Sequence, residues 1–257
     1  MFDTHIHTEV STDSKMKLLD ALKSAKEKGV SLILTEHMDI QGPIEEYGHF
    51  TFDSEEYFKK YDGFRGDNLL LGMEMGMRPE FLKENKREEE KSPFDYVIGS
   101  VHVVNTIDIF REEFYAERTK KDAYEEYLEY MLRCLKQYDF IDSLGHIDYI
   151  CRYATYEDPE IYYEEFSDYI DEILKVLIEK EKAMELNTRR LSTDKARESL
   201  INIYKRYKDL GGNYITIGSD SHKESAIAMN FNYALEIVEK CNLKQVYFKN
   251  RKIEYDK

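Results

Sequence analysis

The 257-residue chain has no tryptophan, only 4 prolines and only 3 cysteines. With so little proline, and no Pro/Gly/Ser-rich stretch, nothing marks a linker, so residues 1–257 are expected to form a single domain. Cys134, Cys151 and Cys241 are odd in number, widely spaced and without CxxC spacing. That excludes a thiolate zinc knuckle and a disulfide framework, and reads as buried or free thiols in a reducing compartment. No apolar run approaches the roughly 18–20 residues of a membrane span. The opening Met1-Phe2-Asp3-Thr4-His5 lacks the basic-then-apolar order of a secretory signal, so a cytoplasmic location is expected. Positive charge is also scarce: 37 Lys and Arg face 52 Asp and Glu, for a net charge of −15. Such a surface repels nucleic acid and anionic membrane, and neither is expected as a partner. An anionic substrate would need local help from metal ions or clustered arginines.

What the chain does have is apolar and aromatic mass. Hydrophobic residues make up 42%, including 21 Tyr and 13 Phe, enough for a sizeable core, with tyrosines suited to helices that keep one edge wet. Short apolar runs alternate with longer amphipathic ones. The runs predict strands at Met1–Ile6, Val30–Thr35, Asn68–Met75, Asp95–Ser100, Phe140–Leu144, Ala183–Leu186, Tyr214–Ile217 and Gln245–Phe248. Each is mostly apolar, as in a parallel sheet covered on both faces. Helical spacing predicts helices over Lys15–Lys28, stopped by Gly29, and over Lys120–Tyr138 and Thr193–Leu210. Another is expected over Pro159–Glu179, with Asp158 as N-cap. Lys83–Lys91 reads as a solvated helix or loop, and Gln41–Gly66 as a polar insertion after the second strand. Strand–helix alternation along the whole chain implies an α/β fold, a parallel sheet covered by helices, and loops after the strands would sit at the C-terminal face, where barrels keep their active sites.

Six of the seven histidines fall at or just past those strand ends: His5 and His7, His37, His102, His146 and His222. Carboxylates join them: Asp13 in the first loop, Glu74 closing the third strand, Asp220 beside His222. Taken singly, each has a plain reading; Glu74 could be a salt-bridge carboxylate and His146 a satisfied core histidine. Converging on one barrel mouth, they form a set of imidazole and carboxylate ligands suited to Zn, Mn or Fe, and too large for one tetrahedral ion. Two to three divalent ions are expected. His49, inside the insertion, is assigned to a loop. Arg152, Arg189 and Arg190 lie near the expected mouth and are candidate phosphate clamps, since the guanidinium fork matches two phosphate oxygens.

These motifs resemble the polymerase and histidinol phosphatase (PHP) superfamily. The resemblance rests on Asp3-Thr4-His5-Ile6-His7 with Asp13, Thr35-Glu36-His37, Gly72-Met73-Glu74, Gly99-Ser100-Val101-His102, Gly145-His146-Ile147-Asp148 and Gly218-Ser219-Asp220-Ser221-His222. It implies a distorted (β/α)7, TIM-like barrel with a trinuclear centre. His5, His7, Glu74 and Asp220 would hold one ion. Glu74 would bridge to a second, held also by His102 and His146, and Asp13, His37 and His222 would hold a third. Glu74 and Asp220 would be the catalytic carboxylates, with Asp220 or a metal-held water protonating the leaving alkoxide. Glu36 stands where many members have Asp; little consequence is expected, because His37 carries the ligation. The likeness is greatest to the histidinol-phosphatase branch, through Asp13-Ser14-Lys15, the chain length and the Glu185–Arg189 stretch. It implies hydrolysis of L-histidinol phosphate in histidine biosynthesis, with acidic groups of the insertion available to the substrate's ammonium or imidazole. The alternatives are a PHP phosphoesterase for nucleotides, sugar phosphates or a phosphodiester, which a substrate panel would separate, and a non-catalytic metal-binding module.

Overall fold

The structure is a computed structural model that describes residues 1–41 and 49–255. Its eight parallel strands lie side by side in chain order. They are β1 (Phe2–Ile6), β2 (Ser31–Met38), β3 (Leu69–Gly76), β4 (Tyr96–Ser100), β5 (Ser143–Leu144), β6 (Ala183–Asn187), β7 (Tyr214–Gly218) and β8 (Lys244–Gln245). Around them run α1 (Leu18–Lys28), α2 (Ser54–Tyr61), α3 (Leu82–Glu90), α4 (Lys120–Gln137), α5 (Tyr163–Glu179), α6 (Asp194–Asp209) and α7 (Phe231–Lys240). None of these helices is long and apolar enough to cross a membrane.

A sheet whose neighbours are sequential throughout has no switch point, and this one curls until its first and seventh strands meet. Asp3 makes the seam. Its carboxylate accepts Ser219 N at 2.8 Å and Ser219 Oγ at 2.6 Å, while His7 N donates to Ser221 O at 2.9 Å. β8 pairs only with the first half of β7, through Lys244 and Gln245. The expected distorted seven-stave barrel is therefore present, with a short eighth strand appended.

The strands are apolar on both sides, but the two sides meet different neighbours. Leu32, Leu34, Leu69, Leu71 and Val97 join the large cluster that includes the helices. Phe2, Ile33, Leu70, Tyr96, Ile98 and Ala183 form a second, interior cluster with Val246 and Phe248. Period-two alternation then carries the inward face upward from Ile33 to His37, from Leu70 to Glu74 and from Ala183 to Glu185. β1 breaks this parity, since Phe2 and His5 both lie inside. The break is visible as a register irregularity between Asp3 and Ile6. A bulge at the rim re-aims His5 and His7 inward, a use bulges commonly serve beside functional sites.

Four expectations need correction. The Pro159–Glu179 helix begins only at Tyr163, because Asp158 engages Glu160 N, Tyr162 OH and Lys195 Nζ and Tyr162 is extended, leaving residues 159–162 outside the helix. The Gln245–Phe248 strand is split. Its start belongs to β8, while Tyr247–Lys249 pairs antiparallel with Lys252–Glu254. That hairpin closes the barrel floor, with Phe248 stacked on Tyr96 and Arg251 Nε on Asp142 at 2.6 Å. The polar insertion contains α2, capped by Asp53 and buried through Tyr57, Phe58 and Tyr61; residues 42–48 of it lie outside the described residues. Finally, α7 occupies a stretch left unassigned above. The three cysteines are free and buried, as expected.

Candidate metal centre

All nine expected ligands converge at the C-terminal rim. His5 and His7, at 0% exposure, form the bottom of the group. His5 Nε2 and His7 Nε2 stand 3.3 and 3.5 Å from Glu74 Oε2, and His7 Nε2 is 3.4 Å from Asp220 Oδ1. On the other oxygen of Glu74, His146 Nε2 is at 2.9 Å and His102 Nε2 at 3.2 Å. Nearer solvent, Asp13 Oδ2 lies 3.0 Å from His222 Nε2 and 3.5 Å from His37 Nε2. Ligands of a tetrahedral ion at roughly 2.0–2.1 Å lie about 3.3 Å apart. The observed separations are of that size.

Satisfaction of the polar atoms gives a separate test. His5 Nε2, His7 Nε2, His37 Nδ1, His146 Nδ1 and Glu74 Oε2 are all buried without a hydrogen-bond partner. Orphaned acceptors in a protein interior are costly unless something else meets them. Here most of them point at one another, around a carboxylate, as donors to a cation do. The residues therefore fit divalent ions, and His5–His7–Glu74, Glu74–His102–His146 and His7–His37–His222 are each compact enough to hold one.

The charges of the cluster shift one another strongly. Burial would raise Glu74, but His5, His102 and His37 hold it well below the usual carboxylate range. Burial would lower His5, but Glu185, Glu74 and Asp220 lift it well above an ordinary imidazole. His7 goes the other way, pushed down by burial and by His37 and His222.

Two orienting carboxylates were not anticipated. His5 Nδ1 is bonded to Glu185 Oε1 at 2.7 Å and His102 Nδ1 to Asp39 Oδ1 at 2.9 Å. Each fixes the tautomer and leaves Nε2 turned toward Glu74, the usual support of metal-ligating histidines. Asp39 lies just past the end of the strand that carries His37, a position that places a carboxylate at the rim without saying which imidazole it turns. Glu36 also has a clear task. Facing away from the cluster, it accepts Thr8 Oγ1 at 2.6 Å and Ser11 Oγ at 2.5 Å, clamping the loop that delivers Asp13. His49 is exposed and its carbonyl accepts Thr12 Oγ1, outside the cluster as expected.

Above the ligands is a cavity of about 220 Å³ lined also by Tyr149, Arg152, Tyr153 and Arg189. Arg152 is buried, gives Nη1 to Asp220 Oδ2 at 2.5 Å, and keeps Nε and Nη2 without partners. Arg189 Nη1 lies 3.6 Å from the same carboxylate oxygen and is half exposed. Arg190 is a correction. It bridges Asp148 at 3.0 Å and Glu160 at 2.5 Å and does not line the cavity. Asp220 has a left-handed backbone, φ 54°, strain of a kind that persists where the surroundings over-determine a site.

Gly218, two residues before Asp220, leaves room for His5 and its partner Glu185. A Cβ on Gly218 would come within 2.4 Å of both Glu185 Oε1 and His5 Cβ. Gly218→Ala is expected to cost about 1–3 kcal/mol by overpacking and to displace the Glu185–His5 pair. Urea unfolding together with metal content would show both losses; a stable variant with full metal content would contradict this packing.

A barrel with a histidine–carboxylate cluster at its C-terminal mouth, and an arginine-lined cavity above it, defines a class: β/α-barrel proteins whose mouth residues fit divalent cations. The chain belongs to the PHP domain family, whose profile matches residues 3–189. A probable histidinol-phosphatase of Clostridium acetobutylicum is 48% identical, over 99% of both chains. The histidinol-phosphatase of Lactococcus lactis is 31% identical, over 99% of this chain and 97% of its own. A crystal structure of the histidinol phosphate phosphatase from Lactococcus lactis, complexed with zinc, L-histidinol and phosphate, matches with TM-score 0.93 over 98% of each chain.

Proposed function

We propose that this protein is a metal-dependent phosphomonoesterase that hydrolyses L-histidinol phosphate to L-histidinol and phosphate. The observation that carries the reading is the pairing, in one cavity, of Asp13, His37, Glu74, His102, His146, Asp220 and His222 with a buried guanidinium whose Nε and Nη2 have no partner. Full-length similarity to histidinol-phosphatases supports the substrate assignment.

The ions would be held by His5, His7, Glu74 and Asp220, by Glu74, His102 and His146, and by Asp13, His37 and His222. Divalent ions in such a setting supply a water nucleophile at neutral pH and neutralise charge on phosphoryl oxygens, which a protein of net charge −15 requires. The remaining work falls to the side chains. Arg152 offers Nε and Nη2 to two oxygens of the phosphoryl group, and Arg189 reaches the same group from the rim. Asp220 holds Arg152 in place through Oδ2. Burial would raise Asp220, but Arg152 and His5 keep it well below the usual range, so it serves as a carboxylate, accepting and orienting at Oδ1. Asp39 and Glu185 fix the imidazoles, and Tyr149 and Tyr153 wall the cavity against bulk water.

The test is phosphate release by metal-reconstituted protein from L-histidinol phosphate, a nucleotide and a sugar phosphate, with metal content measured on the same sample. A strong preference for histidinol phosphate with two to three ions bound is expected. Bound ions with turnover of the other esters alone would overturn the substrate and keep the reaction class.

A further inference from the structure

At the opposite end from the ligand cluster, the barrel floor carries a second cavity of about 620 Å³. It lies between the closing hairpin and the loops that lead into β6 and β7, and its size is that of an ordinary small-molecule site. The charged residues of its lining are Lys180, Lys182, Arg251 and Lys252 against Asp142 and Glu181. In a chain of net charge −15 this is a local reversal of sign. The rest of the wall includes Ile178, Tyr207, Tyr214, Phe248 and Ile253, so apolar and aromatic surface stands beside the cations.

Hydrogen bonding separates the cations that hold the fold from those with donors to spare. Arg251 is engaged by Asp142, Glu89 and the Phe140 carbonyl. Lys180 is engaged by the Leu135 and Lys136 carbonyls and by Asp139. Lys182, by contrast, gives one bond, to Asp139 O at 2.7 Å, and is partly buried. Burial pushes its ammonium down, and Arg251 and Lys180 add to this against the pull of Asp142 and Asp139. Lys252, on the hairpin, makes no ion pair among the described residues. Of the two carboxylates, Asp142 is already matched by Arg251, and Glu181 is exposed, where water and salt screen it. Two under-used ammonium groups on one concave surface raise each other's energy, and an anion between them would relieve it.

We propose that this floor cavity binds a small carboxylate with a flat apolar body, the carboxylate held by Lys182 and Lys252 and the body against the aromatic wall. Lys182 belongs to the entry of β6 and Lys252 to the hairpin, so the bound molecule ties the hairpin to the barrel. Binding to the folded chain alone stabilises it by mass action. The inference does not depend on the reaction at the mouth.

The experiment titrates the metal-loaded, full-length protein with benzoate, and with acetate and benzyl alcohol as its charge-only and ring-only halves. The readout is the methyl resonances of Ile178 and Ile253, with the melting temperature followed in parallel. Benzoate should shift both methyls saturably, with a dissociation constant of about 1–10 mM for so small a ligand, and should raise the melting temperature. Acetate and benzyl alcohol should each bind at least about threefold more weakly. Lys182→Met and Lys252→Met should each weaken benzoate about three- to fivefold, the size of a partly exposed ion pair. Glu181→Gln, which removes the opposing charge, should tighten it about twofold. Lys252 is exposed, so its variant reports even if Lys182→Met is less stable. The proposal is overturned if the two methyls do not respond saturably, which includes benzoate binding only at the metal centre. It is equally overturned if Lys252→Met keeps the parental affinity, if acetate matches benzoate, or if Glu181→Gln weakens binding.

Discussion

Replacing Glu74 by Gln should reduce phosphate release by a factor of about a thousand or more, some 4 kcal/mol in the barrier, and should strip ions from the centre. Among the described residues this carboxylate stands at the middle of the cluster. Its Oε2 faces His5, His7 and His37 at 3.3, 3.5 and 2.8 Å, and its Oε1 faces His102 and His146 at 3.2 and 2.9 Å. Glutamine has nearly the same shape, so packing survives. What changes is one full negative charge and one acceptor oxygen, replaced by an amide N–H₂ that repels a cation. Because Glu74 is fully buried, no water can substitute for the lost acceptor without rearrangement. Elemental analysis and steady-state kinetics on the same preparation give the check. A folded Glu74→Gln protein with parental metal content and turnover would remove the central assumption about the site.

The second large effect is expected at Arg152. Arg152→Lys should lower kcat/KM about 10²- to 10³-fold, the range seen when one preorganised donor to a developing oxyanion is removed. Lysine preserves the charge but not the planar fork that offers two donors at once. It also cannot both bond Asp220 and present Nε and Nη2 into the cavity, as Arg152 does. Inhibition by inorganic phosphate should weaken in parallel, which distinguishes lost phosphoryl binding from a disturbed ligand cluster. A lysine variant within threefold of the parent, with phosphate inhibition unchanged, would mean that Arg152 only holds Asp220.

The convergence of the ligands was legible because it depends on one simple property of the fold. A parallel barrel brings every strand C-terminus to one face, so His5, His37, His102, His146 and His222 can be placed together without coordinates. The orienting carboxylates were not legible in the same way. Asp39 and Glu185 matter through the direction in which an imidazole ring is turned, and nothing along the chain encodes that direction. The bulge in β1 was hidden for a related reason: Asp3-Thr4-His5-Ile6-His7 reads as regular alternation, and only the neighbouring strands reveal the slip. Arg190 shows the opposite error. Its position after the sixth strand suggested the mouth, whereas it pairs with Asp148 and Glu160 and is not among the residues lining the cavity. α2 was read as polar because its charged residues outnumber its buried Tyr57, Phe58 and Tyr61, although these three are what dock it.

The seam between β1 and β7 has a consequence for how the chain matures. Asp3 and Ser219, which close it, are separated by almost the whole chain, and so are His5 and Asp220. Contacts of such range form late, since the entropy of closing the loop must be met before they contribute. A nascent chain on the ribosome therefore carries most of the histidines long before it has a complete site. High-affinity metal uptake, followed by a chromophoric chelator during refolding, should track the arrival of β7 and not the earlier collapse of the helices, which makes the ions a clock for the last step of assembly.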